Sequence, residues 1–299
     1  MDLYYFNMSP PCRAVGLCAK TLGISLNKVI LLLTGEHLKP EFLAINPQHC
    51  IPTLVDGDLK LWESRAICTY LASKYGKDDS LYPNNPDKRV LIDRLLYFDM
   101  GVLFHRFRNY FTNPLVKGGA PDDSALESTH EALKWFNDYY LDGHDFCVGN
   151  NLTVADFSLV ATVSSIIESG IDMSKYPNIT EWVKRFTMDL YYFNWSPPCR
   201  AVGLIAKTLG ISLNKKVTLL FSGEHLKPEF LAINPQHSIP TLVDGDLKLW
   251  ESRAICTYLA SKYGKDDSLY PNNPDKRVLI DRLLYFDMGV LFQRFWNYY

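Results

Sequence analysis

Apolar and aromatic residues along the first 75 positions occur in short runs that predict alternating strands and helices. Residues 3–6 predict a strand, and residues 13–22 predict a helix that ends at Gly23. Residues 26–33 predict a buried strand and residues 38–45 a short helix. Residues 52–62 predict a hairpin around an Asp-Gly-Asp turn, and residues 64–75 predict a longer helix. The order β-α-β-α-β-β-α predicts a small mixed sheet with helices on both faces.

The pattern changes after a connector that is rich in turn residues. Two prolines and two asparagines occupy positions 83–86, and beyond them the apolar residues follow a helical period. Thr153 and Asp156 match a capping box at the start of one of these helices. The predicted helices cover residues 88–110, residues 122–141, a stretch from residue 152 onwards and residues 177–186. An all-α part therefore follows the α/β part.

A second copy of the opening sequence then begins. Residues 1–7 return as residues 188–194, and the match continues to Tyr299 with nine substitutions and one inserted residue. The period is too long for a solenoid repeat, so a whole domain is repeated. The insertion lies in a predicted strand, where Asn27-Lys28-Val29 becomes Asn214-Lys215-Lys216-Val217. A one-residue slip there would turn side chains to the other face unless a bulge or loop absorbs it.

The repeat predicts the domain organisation of the chain. The element order is that of a thioredoxin-like α/β domain, which we expect twice, with an all-α domain between the two copies. Residues 112–187 have no second copy. Residues 1–76 are predicted to form a thioredoxin-like domain, residues 77–87 a linker and residues 88–187 an all-helical domain. Residues 188–264 are predicted to form a second thioredoxin-like domain, and residues 265–299 a linker with the start of a second helical domain.

Composition and charge exclude several classes of function. Lys plus Arg total 31 against 33 Asp plus Glu, a net charge of −2 that provides no basic field for nucleic acid or anionic lipid. No apolar run is long enough to span a bilayer, and the start of the chain does not resemble a secretory signal. The seven cysteines lack metal-ligand spacing. They predict reduced thiols, a cytoplasmic location and no metal site.

The loop after the first strand is the first candidate site. In a thioredoxin-like sheet this loop presents its active group at a helix N-terminus, and here it reads Ser9-Pro10-Pro11-Cys12. Ser stands where dithiol exchange requires a cysteine, so a thiol-disulfide oxidoreductase is a poor candidate. The Ser9 hydroxyl either donates a hydrogen bond to a bound thiolate, helped by the helix dipole, or simply caps the helix. Cys12 is expected to be a buried structural thiol.

The segment His49-Cys50-Ile51-Pro52 is the second candidate site. An X-Pro bond that enters a strand opposite the first loop is a candidate for the cis isomer, which would turn the Ile51 backbone toward a ligand. The alternative is an ordinary trans proline at a strand start. His37 and His49 are either ligand-binding or exposed loop residues. Ser238 replaces Cys50 in the copy, which indicates that this thiol is dispensable.

The segment Trp62-Glu63-Ser64-Arg65, where a strand turns into a helix, is the third candidate site. Ser64 can offer its hydroxyl and N–H to a carboxylate at the helix start, while Glu63 can bind an ammonium group. Both charges belong to the same end of an amino acid. The alternative is a capped, solvated helix start with Arg65 in a surface ion pair.

Taken together, these motifs resemble the cytosolic glutathione transferases, most closely the insect delta/epsilon type. The resemblance covers residues 1–187 as a nearly whole member and residues 188–299 as a second N-terminal half. Three segments that carry it are Ser-Pro-Pro-Cys-Arg (9–13), Gly-Glu-His-Leu-Lys-Pro-Glu-Phe (35–42) and Asn-Pro-Gln-His-Cys-Ile-Pro-Thr-Leu (46–54). The other three are Leu-Trp-Glu-Ser-Arg-Ala-Ile (61–67), Leu-Tyr-Pro (81–83) and Leu-Thr-Val-Ala-Asp (152–156).

The resemblance implies a glutathione-binding site with Ser9 as the catalytic residue that stabilises the glutathione thiolate. It implies that His37 and His49 bind the glycyl carboxylate and that Cys50, Ile51 and Pro52 bind the cysteinyl backbone. It also implies that Glu63, Ser64 and Arg65 bind the γ-glutamyl end. Glutathione is the implied co-substrate, and no metal is implied. Phe104, Phe107 and Phe111 recur at helical spacing and are candidates for the wall of a hydrophobic-substrate pocket, although a Phe stripe is also typical of plain core.

The second copy carries the matching residues, which we expect to be vestigial because no helical domain of their own encloses a substrate. They are Ser196, His225, His237, Ser238, Ile239, Glu251, Ser252 and Arg253. The first unit also stops near Phe186, where family members continue through a further helix. Two functions stay open: conjugation of glutathione to small hydrophobic electrophiles, and ligand binding without useful turnover. The resemblance further implies a homodimer, or a pseudo-dimer within one chain.

Overall fold

The computed structural model describes residues 1–30, 35–120, 122–211, 213–264 and 266–298. The chain divides into two compact units, Met1–Val183 and Lys184–Tyr299. Each unit contains one four-stranded mixed sheet. The predicted fold class, a thioredoxin-like α/β domain and an all-α domain followed by a second thioredoxin-like domain, is therefore confirmed. The finer division at residues 76, 87 and 264 stays a prediction.

The first sheet has the strand order β2-β1-β3-β4. Its strands are β1 (Asp2–Tyr5), β2 (Asn27–Ile30), β3 (Thr53–Asp56) and β4 (Leu59–Trp62), and its helices are α1 (Pro10–Thr21), α2 (Pro40–Leu43) and α3 (Ser64–Tyr75). Strand β1 pairs with β2 in parallel and with β3 in antiparallel orientation. Leu3 and Leu54 lie opposite each other in this pairing and are fully buried, so the centre of the sheet is the core of the domain.

Strand β2 differs from the predicted buried strand over 26–33. It lies at the edge of the sheet, and its residues Asn27 and Lys28 are exposed. The prediction of burial was wrong for this end because the apolar run that suggested it begins only at Val29. Residues 31–33 of the predicted strand lie outside the described residues.

The helical part begins with a helix longer than the predicted 88–110. Helices α4 (Pro86–Phe98), α5 (Phe104–Phe107) and α6 (Asn113–Lys117) follow one another through the π-helical turns Asp99–Leu103 and Arg108–Thr112. These wide turns could not be predicted from the apolar period, which they interrupt by only one residue each. The remaining helices of this part are α7 (Asp123–Trp135), which continues into the π-helical turn Phe136–Tyr140, α8 (Val154–Glu168) and α9 (Pro177–Lys184).

Helix α8 is the centre of the helical part. The predicted capping box is confirmed, since Thr153 and Asp156 satisfy each other's backbone N–H groups. The fully buried Asp156 carboxylate also accepts hydrogen bonds from the Cys147 amide at 2.9 Å and from the Trp182 indole at 3.1 Å. A buried charge is thereby compensated by several donors. In the described part of the chain, no helix combines the length and apolar character needed to cross a membrane.

The second unit repeats the α/β part with the strand order β6-β5-β7-β8. Its strands are β5 (Met188–Tyr192), β6 (Asn214–Val217), β7 (Thr241–Asp244) and β8 (Leu247–Trp250), and its helices are α10 (Pro197–Thr208), α11 (Pro228–Leu231), α12 (Ser252–Tyr263), α13 (Pro274–Phe286) and α14 (Phe292–Tyr298). Leu190 and Leu242 occupy the central paired positions of Leu3 and Leu54 and are fully buried.

The inserted lysine changes side-chain placement in β6. Both edge strands start their pairing at the same asparagine, so Lys216 pairs with Tyr191 where Val29 pairs with Tyr4. The Lys216 ammonium lies 2.7 Å from the Asp189 carboxylate, an ion pair near the exposed sheet edge. The strand therefore keeps its register over Asn214 and Lys215, and the extra residue shifts the chain by one position from Lys216 onwards.

Candidate functional site

The three predicted site segments lie at the same end of the strands of the first sheet. Thr53 at the start of β3 pairs with Tyr4 near the end of β1 and with Trp62 at the end of β4. The loop before Ser9, the segment that enters β3 and the turn after β4 therefore emerge side by side. The pairing register thus brings together segments that are far apart in the sequence.

Ser9 stands at the N-cap position of α1, with an extended backbone at φ −77° and ψ 117°. Its side chain makes no capping hydrogen bond to the helix, whereas the Ser196 hydroxyl accepts one from the Cys199 amide at 3.4 Å. The predicted alternative of simple capping thus describes Ser196 better than Ser9. Burial raises the pKa of the Cys12 thiol, although a hydrogen bond with Ser9 lowers it. Cys12 is 1% exposed, which confirms it as a buried thiol.

Arg13 anchors the Ser9 loop and was not singled out from the sequence. Its guanidinium donates to the Met8 carbonyl at 3.0 Å and, on α8, to the Ala161 carbonyl at 2.9 Å and the Ser165 hydroxyl at 2.5 Å. The loop is therefore fixed to the helical part through one side chain. The only sequence signal was its place in the Ser-Pro-Pro-Cys-Arg segment.

The peptide bond between Ile51 and Pro52 is cis, which was one of the two predicted alternatives. The fully buried Asn46 side chain supports this segment, since it donates to the Cys50 carbonyl at 3.1 Å and to the Thr53 hydroxyl at 2.8 Å. The supporting role of Asn46 was also not predicted from the sequence, because an asparagine before a proline is typical of an ordinary turn.

His37 and His49 come together from two different loops. Their ring centroids are 6.1 Å apart. His49 has a positive φ of 45°, which is uncommon for a residue other than glycine. The Nδ1 atom of His37 is buried and makes no hydrogen bond within the described residues. Two imidazoles that face a common region can hold one carboxylate group.

Glu63 and Ser64 form the turn from β4 into α3. Glu63 has φ 69° and ψ 104°, a conformation outside the usual regions, and functional sites are where such backbone strain concentrates. Ser64 begins α3 and is 2% exposed. A carboxylate side chain next to free helix N–H groups can receive both charges of an amino-acid end.

Arg65 lies in a buried network instead of a surface ion pair. Its guanidinium donates to the Asp99 carboxylate at 2.5 Å and to the Ser64 hydroxyl at 3.1 Å, and it lies 5.6 Å from the centre of the Phe104 ring. Asp99 is fully buried and also accepts from the Ser158 hydroxyl at 2.5 Å. Arg65 therefore links the site to the helical part, and its direct contact with a ligand stays a prediction.

The three predicted pocket residues have different surroundings. Phe104 lies under the Arg65 guanidinium and is half-buried. Phe107 is 2% exposed and stacks on Phe111 with ring centroids 5.6 Å apart. Phe107 thus belongs to the core of the helical part, while Phe104 and Phe111 keep accessible surface. The role of all three as a pocket wall stays a prediction.

The second unit reproduces most of this geometry. The bond between Ile239 and Pro240 is cis, and the rings of His225 and His237 are 6.0 Å apart. The Ser238 hydroxyl accepts from Asn234 as the Cys50 thiol does from Asn46, so a hydroxyl replaces the thiol without loss of the contact. The matching turn residues Glu251, with φ 68°, and Ser252 and the ion pair of Arg253 with Asp287 are also present.

The described residues contain no group of three or more His, Cys, Asp or Glu that could hold a metal ion. The site in the first unit instead offers a hydroxyl at a helix start, a backbone segment for an extended peptide, two imidazoles and a carboxylate. This set is suited to a small, charged peptide and to the stabilisation of a group bound near Ser9.

Comparisons with protein families agree with this arrangement. The model of the glutathione S-transferase N-terminal domain matches residues 3–80 and 190–268, and that of the C-terminal domain matches residues 100–188. Glutathione S-transferase D7 of Drosophila melanogaster is 50% identical over 186 residues, which cover 62% of this chain and 83% of the relative.

Solved structures give the same result. A delta-class glutathione transferase of Nilaparvata lugens is 44% identical with a TM-score of 0.60, covering 62% of this chain and 86% of its own. A glutathione transferase homologue of Drosophila mojavensis with bound glutathione is 36% identical with a TM-score of 0.56, covering 62% and 85%. The chain belongs to the glutathione S-transferase family of enzymes, and it carries the N-terminal domain of that family twice.

Proposed function

We propose that residues 1–187 conjugate the thiolate of glutathione to small hydrophobic electrophiles. The observation that carries this proposal is the Ser9 hydroxyl, which stands at the start of α1 without a capping bond to the helix. The Ser9 hydroxyl makes a hydrogen bond with the Cys12 thiol, and from this position it can turn to donate to the sulfur atom of a bound ligand. Ile51 and Glu63 lie next to β3 and β4 at the same end of the sheet.

The proposed chemistry is stabilisation of a thiolate. A free thiol has a pKa of about 8.5, so only a few per cent is ionised near pH 7. Lowering that pKa by about two units requires roughly 2.7 kcal/mol of preferential stabilisation of the thiolate. A hydrogen bond from Ser9 and the dipole of α1 together supply energies of this order. The thiolate then attacks the electrophile, forms the carbon–sulfur bond and displaces the leaving group.

The remaining site residues would bind the charged ends of glutathione. His37 and His49 are proposed to hold the glycyl carboxylate, because their ring centroids lie 6.1 Å apart. The Ile51 backbone is proposed to pair with the cysteinyl unit. Glu63 and Ser64 are proposed to bind the γ-glutamyl end, with Arg65 acting at that end from within its network.

A second candidate function is binding of glutathione or apolar ligands without useful turnover. The burial of Phe107 and its stacking on Phe111 favour it, since they leave less of the predicted wall open to an electrophile. An aryl halide assay separates the two functions. Formation of the conjugate at a rate above the uncatalysed reaction supports the transferase, whereas retention on immobilised glutathione without conjugate formation supports the binding protein.

We further propose a cytoplasmic location and assembly as a homodimer, with a pseudo-dimer within one chain as the alternative that the family resemblance also implies. All seven cysteines are free in the structure, as expected for a reducing compartment. Sedimentation velocity tests the assembly: twice the chain mass of 34.3 kDa is expected, and a single chain mass would contradict the homodimer.

A further inference from the structure

Three aromatic side chains lie together on the surface of the second unit. Phe193 and Trp195 belong to the loop between β5 and α10, and Phe221 belongs to the short turn that follows β6. The ring centroids of Trp195 and Phe221 lie 6.4 Å and 6.0 Å from the ring centroid of Phe193. We name these three residues the aromatic cluster.

Two rings of the aromatic cluster are open to solvent. Trp195 is 81% exposed and Phe221 is 92% exposed. Met8 stands at the position of Trp195 in the first unit, and it is 72% exposed although that unit contains its own helices. The position of Trp195 is therefore a surface position in both units, and its exposure does not depend on the helices that accompany the sheet.

The aromatic cluster distinguishes the second copy from the first. Trp195 replaces Met8 and Phe221 replaces Leu33, which are two of the nine substitutions between the copies. Leu33 lies outside the described residues. Both substitutions introduce a large aromatic side chain, and both place it beside Phe193. Two changes that are well separated in the sequence thus meet at one place on the surface.

Hydrogen bonds hold the backbone under both exposed rings. Trp195 lies in a turn that is closed by the Ser196 amide, which donates to the carbonyl three residues earlier at 3.0 Å. The turn that contains Phe221 is fixed by the Leu219 amide, which donates to the Glu224 carboxylate at 2.7 Å. A contact surface that is already ordered loses less conformational entropy when it binds a ligand.

The size and shape of the aromatic cluster favour a small flat ligand. Large aromatic side chains bury about 150–250 Å² each, so the two open rings offer at most about 500 Å². A stable protein interface buries about 800 Å² per partner, which is more than these rings provide. Aromatic rings prefer offset-stacked or edge-to-face contacts. Trp195 is tilted by 39° and Phe221 by 80° from the plane of Phe193, so the cluster presents rings in different orientations.

We propose that the aromatic cluster binds one planar aromatic molecule by ring stacking. This ligand site lies in a part of the chain that the proposed conjugation does not use, so it does not rest on that function. Recognition is through the faces and edges of the rings, because the side chains of Trp195 and Phe221 carry no charge. The Ser196 hydroxyl next to the cluster caps α10, so the site is assigned to binding alone.

The test uses the full chain labelled with fluorotryptophan and followed by fluorine NMR. The chain has six tryptophans, and Trp195→Met identifies the resonance of residue 195. Titration with β-naphthol should shift this resonance in a saturable way. Phe221→Leu removes one ring and should weaken binding about tenfold. Ser222→Thr also restores the residue of the first copy at an exposed position, but it keeps all three rings and should leave the affinity unchanged.

A second probe separates ring stacking from general apolar contact. Decahydro-β-naphthol has the same carbon skeleton and hydroxyl without aromatic rings, and it should bind about tenfold more weakly or worse. Absence of a saturable shift, equal effects of Phe221→Leu and Ser222→Thr, or equal affinity for the two probes would overturn the proposal. A Trp195 resonance that moves with protein concentration in the absence of probe would indicate that a second copy of the chain covers the rings, and would overturn it as well.

Discussion

Asp99 and Asp287 make the same ion pair with arginine in different surroundings. Asp99 is fully buried and also binds Ser158, whereas the Asp287 side chain is half-exposed. Breaking a buried pair leaves an uncompensated charge and costs about 3–5 kcal/mol, while exposed pairs contribute about 0–1 kcal/mol. The two aspartates are therefore matched probes of burial within one chain.

We predict that Asp99→Ala lowers the free energy of unfolding by about 3–5 kcal/mol, because the Arg65 guanidinium then stays buried without its partner. Asp287→Ala is the control and should cost about 1 kcal/mol or less. Urea unfolding followed by circular dichroism measures both variants. Equal losses for the two would contradict the assignment of Asp99 to a buried network.

The roles of single residues could be predicted from sequence only where the local pattern carried them. Ser9 and Ile51 stand beside prolines, and Glu63 stands between a strand and a helix, so their positions were visible. Arg13 and Asp99 were not, because their partners lie on other helices, 148 and 34 residues away in sequence. Long-range contacts of this kind follow from packing, which a single sequence does not reveal.

At the level of elements, the carboxylate of Asp56 joins the β3–β4 hairpin to α3. It accepts hydrogen bonds from the hydroxyls of Tyr70 at 2.6 Å and Tyr75 at 2.5 Å, and from the Lys74 ammonium at 2.9 Å. These bonds lower the pKa of Asp56 below its ordinary value of 3.8. Because the pKa of Asp56 is lower in the folded state than in the unfolded state, the ionised carboxylate stabilises the fold at pH values above the unfolded-state pKa. This stabilisation is lost as the pH falls through the folded-state pKa.

We predict that Asp56→Asn destabilises the protein at pH 7 and that the difference from the parent chain shrinks as the pH falls below about 4. Asp58→Asn in the same hairpin removes an equal charge and is the matched control for the change of net charge. Thermal unfolding between pH 7 and pH 3 measures the effect. A difference between Asp56→Asn and the parent chain that stays constant over this range would contradict it.

Two glycines test how closely the elements pack. A Cβ at Gly76, just after α3, would lie 2.4 Å from the Ala72 carbonyl oxygen and 2.6 Å from that of Asp78. A Cβ at Gly16, inside α1, would meet nothing within 4 Å. We predict that Gly76→Ala destabilises by about 1–3 kcal/mol, whereas Gly16→Ala stabilises by up to about 1 kcal/mol. Denaturant midpoints measure both, and a shift in the same direction for the two would contradict this account of α3.

The elements themselves were largely predictable because their signals are local. The hairpin follows from its Asp-Gly-Asp turn, and Gly57 has the expected positive φ of 61°. The edge position of β2 was not predictable, because strand order depends on pairing between β1 and β3, which an isolated apolar run does not encode. The π-helical turns were not predictable because each interrupts the apolar period of its helix by only one residue.

At the level of the whole molecule, one sequence forms two sites with different surroundings. The first unit places its site beside its own helices through Arg13 and Arg65. In the second unit the Ser196 hydroxyl caps its helix, and the Asp287 side chain is half-exposed. We therefore expect turnover to depend on Ser9 and to be nearly independent of Ser196.

The central claim is that the Ser9 hydroxyl stabilises the glutathione thiolate. The most direct measurement is the pH profile of aryl halide conjugation by the full chain, with Ser9→Ala compared with Ser196→Ala. We predict that Ser9→Ala lowers turnover about 10²-fold or more, moves the midpoint up toward the free thiol value of about 8.5, and leaves retention on immobilised glutathione largely intact. Ser196→Ala should leave the profile unchanged. An unchanged midpoint in Ser9→Ala, or loss of most activity in Ser196→Ala, would contradict the account.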